Sequence, residues 1–217
     1  MNISRLSSAG KAIYPVGMLA WLAIASMLLW LSGCATTPKD TAGSAIKTIV
    51  LDPLAPEHIT PATDFNMLGR ISIQDRNQRT SGTFRWQHLV SSDEILLFTP
   101  LGQAVAEITR DSEGVRLITS SLEAYYADNT GDLTQEILGW RLPLEGLQYW
   151  IQGTHSPLTR AEKVLDNQNN VIAIRQDGWE VTFNPAVASS PGLRPKALAL
   201  THDYLRIKLV IDDWKVE

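Results

Sequence analysis

The sequence predicts an α+β domain: a curved antiparallel sheet of about eleven short strands, with two or three helices over its concave face. Three observations carry this prediction. Apolar and polar residues alternate over runs of four to nine residues, the period of a half-buried strand. The runs recur at short intervals, separated by turn-sized segments, which favours antiparallel neighbours. Helical spacing replaces the alternation in one interval, 129–153.

Phe65–Ile73 puts Phe65, Met67, Gly69, Ile71 and Ile73 on one face, with Asn66, Leu68, Arg70, Ser72 and Gln74 on the other. Thr80–His88 repeats the pattern, setting Gly82, Phe84 and Trp86 against Thr83, Arg85 and Gln87, and the polar loop Asp75–Arg79 makes a hairpin of the two. Glu94–Thr99 and Ala104–Thr109 flank Pro100-Leu101-Gly102; Val115–Thr119 and Ala124–Ala127 follow. In Asn129–Leu138, Leu133, Ile137 and Leu138 share a helical face, with Asn129 or Thr130 placed to cap it. Leu144, Leu147, Tyr149, Trp150 and Ile151 lie between Pro143 and Gly153, and Pro143 suits a first helical position. Glu162–Asp166, Val171–Gln176, Trp179–Phe183, Ala197–Thr201 and Arg206–Trp214 complete the strands.

Ahead of this domain the chain has a different character. Arg5 and Lys11 precede an apolar stretch from Ile13 to Leu31, and no acid occurs before Asp40. By length that stretch matches a membrane span, but Leu31-Ser32-Gly33-Cys34 ends it. An apolar residue, two small residues and a cysteine form a bacterial lipobox, at which a signal peptide is removed and the cysteine acylated. The expected organisation is therefore a signal peptide over 1–33, a lipidated tether and linker over 34–64, and a folded domain over 65–217. Residues 35–44 are small and polar, a leash of about 35 Å when extended. The segment 45–64 carries Pro53, Pro56 and Pro61, with a short helix around 54–60 as one reading. Ala35 after the cysteine, in place of aspartate, matches sorting to the outer membrane in enteric lipoproteins.

Composition removes several function classes. The 217 residues carry 19 Lys+Arg against 23 Asp+Glu, a net charge of -4, which argues against nucleic-acid binding. The only cysteine is Cys34, so neither a disulfide framework nor a thiolate metal centre is expected. No P-loop, dinucleotide fingerprint, G-x-S-x-G or H-E-x-x-H motif occurs, and His58, His88, His155 and His202 fall singly. The expectation is a non-enzyme without metal or cofactor. Trp86, Trp140, Trp150, Trp179 and Trp214 instead weight the domain with large apolar rings, which fill a core or line an apolar cavity. Leu101, held between Pro100 and Gly102, puts an apolar side chain at a turn tip where polar residues are usual, either folded back onto the core or exposed to dip into lipid.

These features together resemble the LolB family, outer-membrane lipoproteins that receive other lipoproteins from the periplasmic carrier LolA. The matching stretches are Gly69-Arg70-Ile71, Gly82-Thr83-Phe84-Arg85-Trp86, Thr99-Pro100-Leu101-Gly102 and Gly139-Trp140-Arg141-Leu142-Pro143-Leu144. They continue with Leu147-Gln148-Tyr149-Trp150-Ile151-Gln152-Gly153, Gln176-Asp177-Gly178-Trp179 and Arg206-Ile207-Lys208-Leu209, then Trp214. The resemblance implies an incomplete antiparallel β-barrel of eleven strands closed by helices around an apolar cavity. It also implies a protruding loop whose apolar residue, here Leu101, delivers cargo into the membrane. Phe84, Trp86, Phe98, Trp150 and Trp179 are the candidate acyl-chain lining, chosen by strand parity and aromatic content. The implied partners are LolA, acylated lipoprotein cargo and outer-membrane phospholipid, with the protein a monomer facing the periplasm. The competing readings are a lipid-anchored structural or assembly lipoprotein with a solid core, and a lipid-anchored hydrolase with a buried Ser/His/acid cluster.

Overall fold

The computed structural model describes residues 47–54, 64–187 and 194–216. The leader, Cys34, the tether and most of the possible helix at 54–60 lie outside the described residues. Among the described residues twelve strands form one antiparallel sheet: β1 (Lys47–Leu51), β2 (Phe65–Gln74), β3 (Arg79–Leu89), β4 (Ser92–Phe98), β5 (Ala104–Asp111), β6 (Gly114–Thr119) and β7 (Ala124–Ala127), then β8 (Ala161–Leu165), β9 (Val171–Gln176), β10 (Trp179–Val187), β11 (Ala197–His202) and β12 (Leu205–Val216). Between β7 and β8 come helices α1 (Thr130–Leu138) and α2 (Leu144–Trp150). The spatial order is β1-β8-β9-β10-β11-β12-β2-β3-β4-β5-β6-β7. The sheet is open, with β1 and β7 as its edges.

All eleven expected strands are present, with ends shifted by a few residues at most of them. The twelfth corrects the expected linker: Lys47–Leu51 pairs antiparallel with β8, Lys47 opposite Leu165 and Leu51 opposite Ala161. The β-branched run Thr48-Ile49-Val50 carries its own strand preference, obscured in the sequence by the prolines that follow.

Side chains line up in rows across β2 to β7. Met67, Trp86, Ile95, Ile108, Leu117 and Tyr125 are successive cross-strand partners, and all but half-buried Tyr125 are in the core. The next row opens with Gly69 opposite Phe84. A Cβ on Gly69 would come within 2.7 Å of the Phe84 ring, so glycine here makes room for the phenyl group. On β12 a bulge between Ile211 and Asp213 reverses the parity. It brings Trp214 opposite Met67, with its ring 4.9 Å from Phe65.

Both helices stand where the spacing put them. Asn129 is the cap of α1: its side chain accepts from Asp132 N at 2.9 Å, and Gly139 (φ 82°) ends the helix in the left-handed region. Pro143 lies one residue before α2, at its cap, and not at its first helical position. Leu133 from α1 and Leu144, Leu147, Trp150 and Ile151 from α2 and its end join the strand residues in one apolar cluster. Among the described residues no helix is long and apolar enough to cross a membrane.

Candidate functional site

Because every strand runs antiparallel to its neighbours, five turns fall at one end of the sheet. These are β2/β3, β4/β5, β6/β7, β9/β10 and β11/β12. The β4/β5 turn is closed by Thr99 N donating to Gln103 O at 2.8 Å and Gly102 N donating to Thr99 O at 2.9 Å. Gly102 has φ 81°. Leu101 stands at the tip, 89% exposed, with the backbone beneath it fixed by those bonds. It does not fold back onto the core.

The same end bears a cleft of about 560 Å³, lined among others by Arg76, Trp140, Trp179, His202 and Tyr204. Trp179 connects it to the interior: its ring lies 5.0 Å from His202 and 6.4 Å from Trp150. A larger cleft, about 940 Å³, occupies the opposite end of β3–β7 and is polar in character, with Gln87, Asp93, Glu94, Arg110, Arg116 and Asp128 in its wall.

The five aromatics chosen from parity separate into three groups. Trp150 and Trp179 are neighbours behind the rim cleft, and of the five Trp179 alone lines either cleft. Phe84 and Trp86 are buried in the same apolar cluster, but Trp86 packs edge-on to Phe65 at 4.9 Å, toward the polar end. Phe98 lies on the other face. Its cross-strand partner is exposed Thr83, whereas its neighbour Leu97 pairs with buried Phe84.

Two buried polar clusters steady this framework. Gln176 Oε1 accepts from Trp150 Nε1 and Ser156 N, both at 2.9 Å, while its Nε2 donates to Ser156 O at 2.8 Å and Thr159 O at 3.0 Å. One side chain on β9 thus pins the end of α2 and the segment after it. Asp93 accepts from Trp86 Nε1, His88 Nδ1 and the Arg110 guanidinium. Burial pushes the Asp93 carboxyl up, but the His88 bond, the Arg110 charge and the Trp86 bond together hold it below the usual carboxylate range. Sequence reading missed both clusters, because their members are far apart or of mixed type. It also missed Leu122, 86% exposed in the β6/β7 turn, although an apolar residue in Ser120-Ser121-Leu122-Glu123 is the same kind of signal as Leu101.

An open, helix-covered antiparallel sheet with apolar residues presented at one rim is the class of protein this chain represents. Residues 63–214 match the family model for outer membrane lipoprotein LolB, and the chain belongs to that family. It is 42% identical over 196 residues to the outer-membrane lipoprotein LolB of Nitrosomonas europaea, covering 89% of this chain and 92% of that one. The LolB of Thiobacillus denitrificans is 35% identical, covering 89% and 97%. Among solved structures, a LolA superfamily protein from Nitrosomonas europaea aligns at a TM-score of 0.46 with 8% identity, over 74% of this chain and 89% of that one.

Proposed function

We propose that this chain is the outer-membrane lipoprotein receptor of its kind. Lipid on Cys34 anchors it with the domain facing the periplasm. It accepts acylated lipoproteins from the carrier LolA, one monomer to one cargo, and inserts them into the bilayer.

The physical problem is the acyl chain. Exposing sixteen carbons to water costs on the order of 12 kcal/mol, so cargo passes between apolar sites without a free intermediate. No nucleotide-binding motif occurs in the chain, so transfer runs downhill from carrier to receptor to bilayer. Acyl chains enter at the rim cleft, past Trp140 and Trp179, and lie against the apolar cluster under α1 and α2.

The observation that carries this reading is the placement of Leu101: an apolar side chain 89% exposed at the end of the sheet that also bears the Trp140–Trp179 cleft. Dipping one leucine into lipid contributes roughly 1.5–3 kcal/mol, enough for contact and too little for anchoring. Family membership favours the receptor over a solid-core assembly lipoprotein. The test is Leu101→Glu in the acylated protein: cargo uptake from the carrier persists while delivery into vesicles slows by an order of magnitude or more. Delivery at the normal rate would remove the insertion role.

A further inference from the structure

The β4/β5 and β6/β7 turns are built alike. In the first, Thr99 N donates to Gln103 O and Gly102 N to Thr99 O; in the second, Thr119 N donates to Glu123 O and Leu122 N to Thr119 O, at 3.0 and 2.9 Å. Position by position, Leu122 stands where Gly102 stands. Gly102 has φ 81°, the conformation glycine takes freely, and Leu122 holds φ 64° there. A bulky L side chain rarely adopts that backbone, and it is tolerated at sites where another requirement dominates. Leu122 gains nothing from burial to offset it, since it is 86% exposed.

The two tips are also joined. Ala106 pairs with Thr119, and Ser120 N donates to Val105 O at 3.1 Å, so the turns lie side by side, about 10 Å apart at two strand spacings. Neither Thr99–Gln103 nor Thr119–Glu123 contains lysine or arginine. The one formal charge, Glu123, accepts from Tyr125 Oη at 3.2 Å, on the strand side of the tip. An acidic or phosphorylated partner finds no complement here, whereas a hydrocarbon surface does.

We infer that Leu122 is a second membrane-inserting residue, and that Leu101 and Leu122 form a two-pronged apolar rim that docks this end of the sheet on the phospholipid surface. The inference rests on the receptor reading above and extends its site. Two points of entry fix an orientation where one only makes contact, so the rim cleft is held facing the bilayer during release.

The test uses the full acylated protein in vesicles of phosphatidylethanolamine and phosphatidylcholine, with uptake from the carrier and delivery into the vesicles timed separately. Leu122→Gly removes the prong and relieves the backbone. The expected result is delivery slowed roughly tenfold, uptake unchanged, and a thermal midpoint no lower than that of the parent. Leu122→Asn, which also tolerates this conformation, behaves the same way. Normal delivery by both variants, with Leu101→Glu slowed, overturns the second prong alone; normal delivery by Leu101→Glu overturns the membrane-insertion role of this rim on which the inference rests. Slowed uptake with normal delivery overturns the inference in favour of a carrier-docking tip.

Discussion

The Trp86 indole N–H donates to Asp93 Oδ1 at 2.7 Å across the β3/β4 hairpin, with both side chains buried. The same carboxylate accepts from His88 Nδ1 at 2.7 Å and from Arg110 Nε at 2.8 Å. A buried ion that is paired on every side holds the hairpin to β5, and it leaves a pH signature.

Asp93→Asn removes a buried acceptor charge facing Arg110 and His88 and is expected to destabilise the fold by about 3 kcal/mol in urea unfolding. The carboxyl is depressed in the folded state. Its contribution is therefore present above the ordinary aspartate value and is lost as pH falls through the lower folded value. Stability curves measured below about pH 4 should be steeper for the parent than for the variant. Parallel curves would refute this assignment.

Gln176→Leu keeps the volume and removes the amide that serves Trp150, Ser156 and Thr159. Buried donors at Trp150 Nε1 and Ser156 N lose their acceptor, for an expected loss of about 3 kcal/mol. Tryptophan emission should shift as Trp150 loosens, and an unchanged spectrum with full stability would contradict the pinning role.

Gly146→Ala tests how α2 closes on itself. A Cβ at 146 would overlap the ring of buried Trp150, one turn later. Although alanine is the better helix former, the substitution is expected to cost about 1–3 kcal/mol through overpacking. A rise in the urea midpoint would show that Trp150 moves aside freely.

His155 gives a signal in a different pH range. Burial, then the Lys163 charge, lowers its pKa, and its Nδ1 is buried without a partner among the described residues. The unfolded chain takes up this proton first, so stability falls as pH drops below about 6.5 through the depressed folded value. His155→Gln should flatten the stability curve below about pH 6.5. Retention of the parental slope would locate that proton elsewhere.

Much of this protein is local and therefore readable along the chain. Alternation marked eleven strands because a sheet with one buried face imposes a period of two, and Leu133, Ile137 and Leu138 marked α1, with Asn129 or Thr130 before it, because a helix start needs a side-chain acceptor. The apolar turn tip was legible too, in Pro100-Leu101-Gly102; that Leu101 stands out and does not fold back was decided by the fold.

Other features depend on register and closure, which no window of sequence contains. Strand parity assigned Phe98 to the interior; the pairing with Thr83 turned it outward. The bulge beside Asp212 let Trp214 join a face its number would deny it. Only the folded sheet put the Leu101 and Leu122 turns side by side, because adjacency across β5 and β6 is set by hydrogen bonds between strands. The sequence by itself determined which segments become strands and helices; the tertiary structure decided which side chains share a rim, a cleft or a buried charge.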